Sequence, residues 1–115
     1  MHLTPAMIEG AYRYLLTTPP FHRWKMPEAD ELSFRVSADR NYGWYDFHNG
    51  CHRISVSIKR VGQTASLLET VAHDMIHVYQ AHHNLDSYSS QHNADFHRRA
   101  RSICRHHGFD PKRFW

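Results

Sequence analysis

Leu67-Leu68-Glu69-Thr70-Val71-Ala72-His73-Asp74-Met75-Ile76-His77 is the stretch on which the reading of this chain turns. Residues i and i+4 of a helix lie one above the other on the same face. The imidazoles of His73 and His77 can therefore converge on one zinc ion at ~2.0–2.1 Å. Asp74 follows the first histidine, at the position from which an acid reaches the attacking water and takes its proton. Twelve histidines occur in 115 residues, so a chance pair at this spacing is a real alternative. Three features favour a metal. Leu68, Val71, Ala72, Met75 and Tyr79 form an apolar stripe with the pair on the other side, an acid stands between the two histidines, and a strand hairpin precedes the helix.

Working outward, Ser66-Leu67-Leu68-Glu69 reads as a capping box that opens a helix running to about His82. Asn84 to Ser90 is a polar loop. A last helix spans roughly His92 to His107, with Phe96, Ala100, Ile103 and His107 on one face and Gly108 as its C-terminal cap. Upstream, Tyr42–His48 and Cys51–Ile58 flank Asn49-Gly50, a strong hairpin signal. Ile54, Val56 and Ile58 alternate with Ser55 and Ser57, which predicts one buried and one wet face. Gly62 closes the sheet region. Residues 32–37 alternate in the same way. Thr4-Pro5 marks a first helix, with Met7, Ile8, Ala11 and Leu15 at helical spacing, ended by Pro19-Pro20. The predicted class is α+β: an N-terminal helix, a small antiparallel sheet of about three strands with a hairpin, a metal-binding helix and a C-terminal helix.

A catalytic zinc takes three protein ligands and leaves one position open. A glutamate on a later helix is excluded, because none follows Glu69. His83 has the spacing of a third histidine in the H-E-x-x-H-x-x-G-x-x-H pattern. Gln80, however, stands at the glycine, and no methionine follows Met75. His92 at the start of the last helix is the remaining candidate, with Asp86 and Asp95 as carboxylate alternatives.

The composition sets the frame. Apolar residues make up 41% and charged residues 22% of the chain, as in soluble globular proteins, and the length suits a single domain over 1–115. No run approaches the ~20 apolar residues of a membrane span, and the N-terminus lacks the pattern of a signal peptide. Cys51 and Cys104 form no CxxC pair, which points to a reducing compartment, the cytoplasm, while leaving a Cys51–Cys104 bridge open. The formal charge is +3 but uneven. Arg98, Arg99, Arg101, Arg105, Lys112 and Arg113 face one acid, Asp110. Arg98, Arg101 and Arg105 recur at i, i+3 and i+7, a face that suits nucleic acid or is simply solvated. Trp44 and Tyr45 are candidates for base stacking or for the core.

Residues 67–77, followed by His92-Asn93-Ala94-Asp95-Phe96, resemble the SprT/Spartan-like zinc metalloproteases. The hairpin from Tyr42 to Ile58 is similar to the strands ahead of that family's metal helix, so the likeness covers roughly residues 40–108. The resemblance implies a zincin-like fold, Zn2+ held by His73, His77 and His92, and Asp74 as general base. It also implies hydrolysis of protein or peptide substrates, in eukaryotic members proteins crosslinked to DNA. Asp74 departs from the family's glutamate, with roughly 1.5 Å less reach from standard bond lengths. Asn93 departs from a common glycine, as a residue that also accepts positive φ. The alternative to an enzyme is a catalytically weak or silent zinc domain that binds nucleic acid or a partner protein.

Overall fold

The computed structural model describes residues 2–38, 43–48, 50–58, 64–83, 85 and 92–114. Tyr42, Asn49, Gly62 and the predicted loop 84–90 apart from Leu85, with Asp86 in it, lie outside the described residues, as does the Trp44 side chain. The elements run α1 (Pro5–Leu16), β1 (Leu32–Ser37), β2 (Gly43–His48), β3 (Cys51–Ser57), α2 (Thr64–His82), α3 (Ala94–His107) and α4 (Pro111–Phe114). The class is α+β.

Helix α1 starts as its sequence dictates. Thr4 Oγ1 accepts the Met7 N–H at 3.3 Å, and Pro5 occupies the first turn. It buries Ile8, Ala11, Tyr12 and Leu15 and ends at Leu16 with Thr17 as its cap, ahead of the two prolines.

The sheet has the order β1-β3-β2. Strands β2 and β3 are antiparallel, with His48 opposite Cys51. Gly50 in the connection has φ +74°, a conformation glycine adopts without strain. The sheet is mixed, however, and not wholly antiparallel: β1 runs parallel to β3, with Leu32 opposite His52 and Ser37 opposite Ser57. Successive strands still alternate in direction. Strand β3, which buries His52, Ile54, Ser55, Val56 and Ser57, takes the centre and pairs on both sides, so β1 lies beside β3 and not beside β2.

The wet face of β3 is also corrected. Ser55 and Ser57 are fully buried while Ile58, past the strand end, is 52% exposed. A short serine on a central strand is shaded by longer neighbours in register, such as Arg35 opposite Ser55. On the same face Arg53 donates to both oxygens of Asp46, at 2.9 and 2.5 Å.

Helix α2 begins two residues before the predicted capping box, so Ser66 lies in its first turn; nothing between Gly62 and Ser66 breaks a helix. It packs against α1, β2, β3, α3 and α4 and is covered nearly all round. Val71, Ala72, Met75, Ile76 and Val78 have no exposed surface. The side of α2 that carries His73 and His77, away from its apolar stripe, is thus a half-buried recess.

Helix α3 buries Phe96, Ala100, Ile103 and Cys104, and Gly108 caps it with φ 75°. Asn93 is its N-cap. Its φ of −78° corrects the expectation of a positive-φ position: the asparagine serves as a side-chain acceptor, taking the Phe96 N–H at 2.9 Å. Among the described residues no helix is long and apolar enough to cross a membrane.

Candidate metal centre

Three imidazoles meet where α2 faces the start of α3. His73 and His77 project from successive turns of α2, with ring centroids 5.3 Å apart. His92, just before the Asn93 cap, lies 5.1 Å from His73 and 5.4 Å from His77. One ring nitrogen from each falls within 4.8 Å of the others. Two nitrogens on one tetrahedral zinc are about 3.4 Å apart, from a Zn–N length of ~2.0–2.1 Å, so side-chain rotation of about an ångström closes the set.

Phe96 forms the floor of this recess. It is fully buried, stacks on His92 at 4.0 Å with planes 4° apart, and lies 5.1 and 5.0 Å from His73 and His77. Tyr45 on β2 closes another side, stacked 6.2 Å from His77, with its hydroxyl 2.6 Å from His52 Nδ1.

The second partner of His73 comes from the far end of the chain. His73 Nδ1 lies 2.7 Å from the Phe114 carbonyl oxygen. An oxygen there only accepts, so Nδ1 carries the proton and Nε2 keeps the lone pair. Such a bond orients a metal-ligating histidine and fixes its tautomer. The sequence reading missed both Phe114 and the short helix that presents it. The signal was Asp110-Pro111, a cap followed by proline, and Asp110 Oδ1 does accept the Lys112 N–H at 3.0 Å.

The donors are held neutral. Burial pushes His73 down to about 4, with the His92 imidazole adding to it and the Phe114 carbonyl opposing. Burial pushes His77 down to about 3, reinforced by His73 and His92. Burial and His97 lower His92. Neutral imidazole is the form that ligates a metal, so the donor set fits a zinc ion.

Asp74 is 2% exposed, and its Oδ2 is buried without a hydrogen-bond partner. Burial pushes its pKa well above the ordinary carboxylate range. A dication at the adjacent histidines would favour the ionised form. An acceptor left open inside a packed helix is rare, and it stands next in sequence to His73.

Two of the alternative ligands, His83 and Asp95, are engaged elsewhere. His83 Nε2 lies 3.2 Å from the Lys25 carbonyl oxygen, and its ring lies 4.4 Å from Tyr79. Asp95 pairs with Arg98 at 2.6 Å and Arg99 at 3.0 Å. Asp86 is outside the described residues. His97 is half-buried, 6.2 Å from His92.

Arg98, Arg101 and Arg105 are exposed. With Trp24, Arg99 and Ser102 they line a groove of about 390 Å³. The Arg99 guanidinium is held 4.0 Å from the Tyr79 ring and 5.0 Å from Trp24.

The fold and this recess define an α+β protein with a candidate three-histidine metal centre between two helices. The sequence model of the SprT-like family matches residues 17–114, and the chain belongs to that family. No curated protein and no solved structure matched this chain.

Proposed function

We propose that this chain is a zinc metallopeptidase that hydrolyses protein or peptide substrates. The reading is carried by the convergence of three neutral imidazoles from His73, His77 and His92, within a SprT-like chain. His73, His77 and His92 would hold the zinc ion, which would supply Lewis-acid activation of the scissile carbonyl and of the attacking water. The chain's own residues do the rest. Phe114 holds the His73 ring in its ligating tautomer. Phe96 packs against all three rings and keeps solvent from beneath them. Asp74 takes the proton on a carboxylate oxygen and passes it to the leaving amine. The free thiols of Cys51 and Cys104 suit a reducing compartment, and we place the protein in the cytoplasm.

The direct test is hydrolysis of casein by zinc-loaded protein. Activity should vanish with a chelator and return with added zinc. Cleavage that survives complete removal of metal would sink the proposal.

The arginine groove supports DNA as a partner, and hence DNA-associated proteins as substrates. Among the described residues Arg101 and Arg105 have no carboxylate partner, so their charge is available to phosphates. Three arginine–phosphate contacts give a slope of log K against log salt of about −2 to −3. Arg101→Ala with Arg105→Ala should flatten that slope by about 2. Binding that ignores salt, or none at low salt, would leave these residues as a solvated face.

The second reading, a silent zinc domain that only binds nucleic acid or protein, is favoured by one observation: the deep burial and short reach of Asp74. Full zinc occupancy with no cleavage of any substrate would select it.

A further inference from the structure

We propose that Gln80 is the positioning residue for His92. The inference rests on the reading of His73, His77 and His92 as metal ligands, and it concerns how the third of them is delivered.

Gln80 lies one turn beyond His77 on α2 and is 1% exposed. A buried amide is unfavourable unless its hydrogen-bonding groups are satisfied. Gln80 Nε2 donates to Asn93 Oδ1 at 3.0 Å and to Asp95 Oδ2 at 2.9 Å. An amide nitrogen has two N–H groups, and both go to the first turn of α3. Asn93 Oδ1 also accepts the Phe96 N–H, the bond that caps α3. The same side chain therefore starts the helix and ties it to the metal helix.

His92 immediately precedes Asn93. His92 stands fifteen positions beyond His77 in the sequence, so α2 alone does not set where the third imidazole stands. The clasp fixes the residue next to it, and the stack on Phe96 sets the ring plane. Gln80 and His77 share one rigid helix, so His92 is referenced to the very helix that carries the first two histidines. A glycine at this position would offer no donor at all.

The test measures zinc affinity, by competition with a chromophoric chelator, for the unchanged protein, Gln80→Met, His92→Ala and the double variant. Methionine keeps the length of the side chain and removes both donors. Gln80→Met should weaken zinc binding roughly 10–100-fold, the range for losing an outer-shell partner. In the His92→Ala background the same change should alter affinity by less than about twofold, because two residues acting through one contact are non-additive. The visible spectrum of the cobalt-loaded Gln80→Met protein should move toward that of His92→Ala. An equal loss in both backgrounds, or no loss in either, overturns the assignment. If Gln80→Met fails to fold, Asn93→Ser replaces it. Serine keeps a capping oxygen for α3 but is too short for Gln80, and about a fivefold loss of affinity is expected for one hydrogen bond. Unchanged affinity in Asn93→Ser overturns the proposal equally. If the unchanged protein binds no zinc, the three-histidine reading itself falls, a result distinct from the others.

Discussion

Asp74→Glu is expected to raise peptidase activity by roughly tenfold or more, because a catalytic group misplaced by about 1 Å costs on the order of a hundredfold. The extra methylene restores the reach that aspartate lacks. Zinc content should stay the same, since Asp74 is not among the converging ligand atoms. The gain carries a cost in stability. Asp74 is 2% exposed, and forcing a methylene into a packed site costs about 1–3 kcal/mol, so the variant should melt at a lower temperature. Asp74→Asn should abolish activity, because an amide cannot take up the proton. Paired rate and melting measurements separate these effects. A lower rate for Asp74→Glu, with Asp74→Asn inactive, would show a site already shaped around aspartate.

The second large effect concerns the third ligand. His92→Ala should weaken zinc binding by more than the roughly 10–100-fold typical of an outer-shell partner, because it removes a ligand and not merely its support. His83→Ala should leave affinity unchanged. Its ring sits on Tyr79, with its nitrogen near the Lys25 carbonyl. Chelator competition on the two variants makes the comparison, and the reverse pattern would transfer the ligand role to His83.

Much of this arrangement was legible in the sequence because it is local. The i, i+4 spacing of His73 and His77 follows from helix geometry alone. Thr4-Pro5, Gly50 and Gly108 act within a few residues of where they stand. His92 came within view because no glutamate follows Glu69 and the pattern around His83 lacks its glycine and its later methionine.

What was not legible depends on distant partners. Strand order is set by which strand buries most surface once all three are present. The alternation in β3 therefore predicted a wet face for Ser55 and Ser57, where the flanking strands leave none. The apolar stripe of α2 understated its burial, because Ile76 and Val78 are buried as well in a helix packed against elements from both ends of the chain. The Phe114 carbonyol contact to His73 spans 41 positions, and a backbone oxygen leaves no mark on residue type. In the sequence Gln80 stands out only as the lack of a glycine; its use as a double donor depends on the position of α3. Asn93 was credited with backbone freedom, where it works through its side-chain oxygen.

The most direct test is the zinc content of the purified, dialysed protein by elemental analysis, alongside His73→Ala and His77→Ala. One zinc per chain in the unchanged protein, and almost none in either variant, is the predicted result. A metal-free unchanged protein, or undiminished zinc after loss of His77, would contradict the three-histidine centre.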